Sequence, residues 1–134
     1  MSKENVEIIR RASEAFNAGE LARWLEFFDP EIDWRALEGA LDDVGEMHGT
    51  EAMRRYVQDW TDDFEGFTVV VEELLEIGGD RVVAVQQVMG RARLSEIETQ
   101  LRYAVLYTVR DGKIVRGREY KDRDEALKAV VLED

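Results

Sequence analysis

From Gln100 to Lys121 the chain alternates between apolar and polar residues with a period of two. Leu101, Tyr103, Val105, Tyr107 and Val109 share one face, and Gln100, Arg102, Thr108 and Arg110 share the other with Ala104 and Leu106. Such alternation predicts a strand with one buried side. A second strand follows Arg110-Asp111-Gly112. It can offer the aromatic face either Val115, Gly117, Glu119 and Lys121 or Ile114, Arg116, Arg118 and Tyr120. A two-residue Asp-Gly turn pairs Val109 with Ile114 and brings Arg116 and Arg118 to that face. A three-residue turn, with glycine left-handed, shifts the register by one, and such a slip flips every side chain. Burying two arginines costs more than burying one carboxylate, which can take up a proton. The three-residue turn is therefore expected, with Glu119 inward and Tyr103 as its cross-strand neighbour.

The helical pattern lies mainly in the first half. Val6, Ile9, Ala12 and Phe16 recur at helical spacing, with Ser2 to cap the helix and Gly19 to end it. Leu21, Trp24, Leu25 and Phe28 form a short second stripe, stopped at Asp29-Pro30. Residues 31–37 alternate as a strand, with Ile32, Trp34 and Ala36 on one side and Asp33 and Arg35 on the other. Residues 38–49 read as a long irregular piece, suited to a lid over a pocket. Thr50 is the expected cap of a third helix, whose stripe is Met53, Tyr56, Val57, Trp60 and Phe64.

Phe67 to Leu75 reads as a strand whose alternation slips at Glu72-Glu73, predicting a bulge. A turn at 77–80 leads into a strand from Val82 to Leu94, apolar on both faces and hence central. Asp122, with Glu125 three residues on, predicts a capped terminal helix that turns Ala126, Leu127, Val130 and Val131 inward. The whole is expected to be one α+β domain over residues 1–134, with a curved antiparallel sheet wrapped on N-terminal helices as a cone-shaped α+β barrel. Such a sheet leaves a concave apolar cavity suited to a small molecule.

Composition narrows the function classes. The 134 residues carry a formal net charge of −12, which disfavours binding to nucleic acid or anionic membrane. The acidic excess is read as a solvated surface. With no cysteine, the chain offers no disulfide or thiolate site, and the N-terminus shows no apolar signal core, so a soluble cytoplasmic protein is expected. His48 is the only histidine and is read as a turn residue; no metal site and no organic cofactor are expected.

The segments AFNAGEL, LEFFDPEIDW, HGTEAMRRYVQDW and YTVRDGKIVRGREYKDRDEAL, in that order, resemble the SnoaL-like group of the nuclear transport factor 2-like superfamily. The resemblance covers nearly the whole chain. It implies a pocket of the kind found in steroid delta-isomerases, limonene epoxide hydrolases, scytalone dehydratase, polyketide cyclases and non-catalytic binding modules, and a homodimer formed through the outer sheet face. The apolar Ala104, Leu106, Ile114 and Tyr120 on that face point the same way. Gly117-Arg118-Glu119-Tyr120-Lys121-Asp122 matches the stretch that carries the general base of limonene epoxide hydrolases, with Glu119 at the base position. Steroid isomerase chemistry is not implied. Ala12 and Val105 stand where those enzymes carry an oxyanion tyrosine and a protonated aspartate, and Ala36-Leu37-Glu38 lacks or displaces their shuttling carboxylate.

Two functions are weighed. In the first, an enzyme isomerises, cyclises or hydrolyses a hydrophobic cyclic compound, with Glu119 as general base and Tyr103 or Tyr56 donating to an oxyanion. Trp34, Tyr56, Trp60, Gln87, Val105 and Tyr107 are then expected to contact substrate. In the second, a binding or interaction module uses Glu119 only to satisfy a buried polar site, paired with Arg102 or Arg35.

Overall fold

The computed structural model describes residues 2–37 and 45–133. In chain order these form α1 (Ser2–Asn17), α2 (Leu21–Glu26), β1 (Phe28–Arg35), β2 (Glu46–His48), α3 (Thr50–Asp63), β3 (Phe64–Gly78), β4 (Arg81–Ala92), β5 (Glu98–Arg110), β6 (Lys113–Tyr120) and α4 (Arg123–Glu133). The strands make one six-stranded sheet in the order β2-β1-β6-β5-β4-β3. The α+β class holds, with two corrections. The sheet is mixed, because β1 runs parallel to β6. It is also open, ending at β2 on one side and β3 on the other. The chain reaches that parallel pairing because four strands and one helix separate β1 from β6 in sequence, ample for a crossover.

Register is the property that positions the site. Tyr107 pairs with Gly117 and Val105 with Glu119, so Glu119 lies on the aromatic face as expected. The device that produces this register differs from the expected one. Val109 does pair with Ile114 and Arg110 with Lys113, across a two-residue turn. Asp111 (φ 52°) and Gly112 (φ 77°) both sit in the left-handed region, the type I′ geometry that matches strand twist. A bulge between Thr108 and Val109 of β5 then sets two β6 steps against one, and Val115 is the extra residue. Ile114 stays in the core before the bulge, and Gly117 and Glu119 return to the same face after it. Tyr103 is therefore a same-face neighbour of Glu119 along β5 rather than its direct partner.

The bulge expected at Glu72-Glu73 is present, between Val71 and Glu73, and β3 has two more, near Gly66 and Ile77. Each adds local twist and helps the sheet curl over the helices. On the concave side Ile9, Ala12, Ala15, Trp24, Phe28, Ile32, Trp34, Met53 and Val57 pack against Val82, Ala84, Val105, Tyr107, Val109 and Ile114. On the convex side α4 covers Val83, Ala104 and Leu106 with Ala126 and Val130. That cover alters the basis for self-association: Ala104 and Leu106 are buried within one chain, and Ile114 faces the interior.

Three smaller expectations change. Phe64 begins β3 instead of ending α3, and β1 starts at Phe28. Gly49, at φ 88°, takes the N-cap position of α3, with Thr50 its first residue. Glu46–His48 pair with β1 as a strand, where an irregular piece is expected; the lid expectation for 38–44 lies outside the described residues.

Candidate functional site

Between the helices and the concave face lies a cavity of about 110 Å³. Its walls are mostly aromatic and aliphatic, drawn from α1, α2, α3 and every strand but β2. Trp34 and Tyr107 meet edge to face at 5.7 Å. Trp60 stacks near Phe64 and Phe67, at 5.3 and 5.6 Å. Among the described residues Glu119 is the one carboxylate lining the cavity, and no lysine or arginine lines it.

Among the described residues Glu119 accepts from three donors, on β1, on the segment just after it and on α3. Trp34 Nε1–H donates to Oε2 at 2.8 Å. The Leu37 backbone N–H donates to Oε1 at 3.0 Å. The Tyr56 hydroxyl, from α3, donates to Oε2 at 3.1 Å. These bonds fix the carboxylate plane on the cavity wall, and hydrogen bonds to an ionised acceptor are the stronger kind. Trp34 reaches Glu119 because its direct partner across the parallel pair is Gly117. A Cβ at position 117 would lie 2.2 Å from Trp34 Cε3 and Cζ3, so only glycine lets the indole lie flat on β6.

The second polar group is a relay on the sheet floor. Tyr107 O–H donates to Gln86 Oε1 at 2.9 Å. Gln86 Nε2–H donates to the Tyr103 hydroxyl oxygen at 3.1 Å. Burial, and then the nearby Glu119 charge, push both tyrosines well above the ordinary phenol value. Both therefore stay protonated and keep a hydrogen to donate.

The structure brings Glu119, Tyr103, Trp34, Tyr56, Trp60 and Tyr107 to the cavity. Val105 is on the same face but lies in the core beneath it. Gln87 is a correction: it points outward and donates to Gln100 at 3.2 Å. Its neighbour Gln86 is the inward glutamine, one of the few buried polar side chains. Sequence reasoning missed Gln86, along with the Leu37 N–H. The alternative partners expected for Glu119 are engaged elsewhere. Arg102 forks onto Glu72 at 2.6 and 3.0 Å, and Arg35 reaches Glu46. His48 lies on exposed β2, 2.7 Å from Glu31.

A curved, open α+β fold with a carboxylate in an aromatic cavity defines a class of small pocket domains. The family model for the SnoaL-like domain matches residues 9–117, and the chain belongs to that family. No curated protein matches it in sequence. Its fold is shared with Bal32a from a soil-derived mobile gene cassette, 23% identical over 88% of each chain, with a TM-score of 0.79. It is shared with TerC, co-crystallised with polyporic acid, 21% identical over 96% of this chain and 98% of that one, with a TM-score of 0.75. A protein of ketosteroid isomerase-like fold from Catenulispora acidiphila, solved in complex with trimethylamine, is 16% identical over 91% of this chain and 90% of that one, with a TM-score of 0.73. Among the described residues no helix is long and apolar enough to cross a membrane.

Proposed function

We propose that the protein binds a small hydrophobic cyclic compound in this cavity and acts on it with Glu119 as general base. The observation that carries the reading is the carboxylate itself. It stands oriented by Trp34, Leu37 and Tyr56 in a wall that, among the described residues, offers no other charge. Isomerisation and aldol-type cyclisation begin with loss of a proton from carbon; hydrolysis begins with loss of one from water. A fixed carboxylate serves either start, and such catalysis is typically worth about 10²–10⁴ in rate. An apolar cavity of roughly 150 Å³ holds benzene, and this one, at about 110 Å³, is of the same order. TerC, which shares this fold, was co-crystallised with polyporic acid, and that supports reading the cavity as a ligand site.

Base chemistry can be read before the natural substrate is known. In D₂O, the protein should exchange the α-hydrogens of small cyclic ketones for deuterium faster than buffer does. Glu119→Gln should remove that excess by about 100-fold or more while leaving ketone affinity within a few-fold. Equal exchange by the variant would rule the mechanism out.

A second reading, a binding module without catalysis, draws on the same three hydrogen bonds, because they satisfy the carboxylate before any ligand arrives. It predicts bound ketone with no exchange above buffer. Association as a homodimer through the outer sheet face also remains a proposal. It rests now on the β2-β1-β6 side, where Asp33 and Glu46 alternate with Arg35, Arg116 and Arg118. Sedimentation at micromolar concentration should return a dimer; a monomer would count against it.

A further inference from the structure

The hydrogen-bond direction on the sheet floor specifies what the ligand must carry. A phenol has one hydrogen to give and can accept at its oxygen. Tyr107 gives its hydrogen to Gln86 Oε1, and the amide of Gln86 then gives one to the Tyr103 oxygen. The reverse order would leave the Tyr107 hydrogen without this acceptor, and Tyr107 is the more deeply buried of the two. A buried donor left unmade is costly. The Tyr103 hydrogen can instead point into the cavity, where a ligand satisfies it. Trp34, Leu37 and Tyr56, which also line the cavity, direct their donors at Glu119.

We infer that Gln86 is a positioning residue that turns the Tyr103 hydroxyl hydrogen into the cavity, so that the site takes a neutral ring compound presenting a carbonyl oxygen to Tyr103. An anionic ligand is disfavoured because Glu119 is the cavity's only charge and no lysine or arginine lines it among the described residues. The inference rests on the cavity being the ligand site. It adds the polarity of the ligand and a role for a residue that touches only the two tyrosines among the bonds described.

Cyclohexanone and methylenecyclohexane serve as probes, because they share a shape and differ in C=O against C=CH₂. Their affinities are measured by titrating backbone and indole amide shifts, and their ratio is compared between proteins so that ligand hydrophobicity cancels. Tyr103→Phe should lower the ketone-to-alkene affinity ratio about fivefold, the worth of one neutral hydrogen bond. Gln86→Met should lower it at least about twofold while methylenecyclohexane affinity holds, a selectivity that a merely structural role would not move. If Met is not tolerated, Gln86→Asn, too short to reach both hydroxyls, makes the same comparison. An unchanged ratio in Tyr103→Phe overturns the inference and leaves the cavity reading standing. A ratio that falls in Tyr103→Phe but not in the Gln86 variants overturns the role of Gln86. If neither probe binds the unmodified protein, the cavity reading fails, and the inference with it.

Discussion

Gly117 shows how much of the site hangs on an absent side chain. Trp34 fills the space a Cβ would need, and the same indole donates to Glu119. Gly117→Ala should destabilise the fold by about 1–3 kcal/mol through overpacking, and thermal denaturation would measure it. The variant should also shift the Trp34 indole N–H resonance, because the ring must move off β6. The two floor tyrosines give a pH prediction at the same scale. Their folded values are raised, so the stability they lend is complete below the ordinary phenol value of about 10 and is lost as pH climbs above it. Difference absorbance should show neither Tyr103 nor Tyr107 ionising near pH 10 in the folded protein, and replacing each with Phe would assign the signal. Residue-scale chemistry was only partly legible in the sequence. Glu119 could be turned inward by the cost of burying Arg116 and Arg118. The choice between Gln86 and Gln87 could not be made, because β4 is apolar on both faces. It is settled by β4–β5 register, Gln86 opposite Tyr103, which the loop 93–97 fixes. The positive φ of Glu96 in that loop leaves no strong sequence signal.

At the scale of elements, strand periodicity carried the hairpins, and bulges decided the details. The slip at Glu72-Glu73 was visible because two adjacent acids interrupt an apolar alternation. The bulge at Val115 leaves no mark in the sequence, because either register presents a valine or an isoleucine. The parallel pairing of β1 with β6 is not readable in the sequence, since it joins segments far apart in the chain. The terminal helix was readable from its cap: Asp122 Oδ1 accepts the Glu125 N–H at 2.9 Å. Asp122→Ala should cost about 1 kcal/mol, seen as a lower midpoint in urea. Its partner surface was misjudged, because a sequence shows that Ala104 and Leu106 are apolar but not that α4 lies over them.

For the whole molecule, a curled sheet and three helices enclose a cavity in which, among the described residues, the charge is concentrated at Glu119. The chain's formal net charge is −12, and Glu119 shares the cavity wall with aromatic rings and Tyr103. Fold and pocket follow from patterning; the reaction does not, because the same enclosure serves catalysis and simple binding. The central claim is that a ring-sized ketone sits between Tyr103 and Glu119. An amide-shift titration of the uniformly ¹⁵N-labelled protein with cyclohexanone tests it most directly. The Trp34 indole N–H and the Leu37 amide should move together and saturate along one binding curve. Shifts confined to the exterior, with those two signals unmoved up to the solubility limit of the ketone, would contradict it.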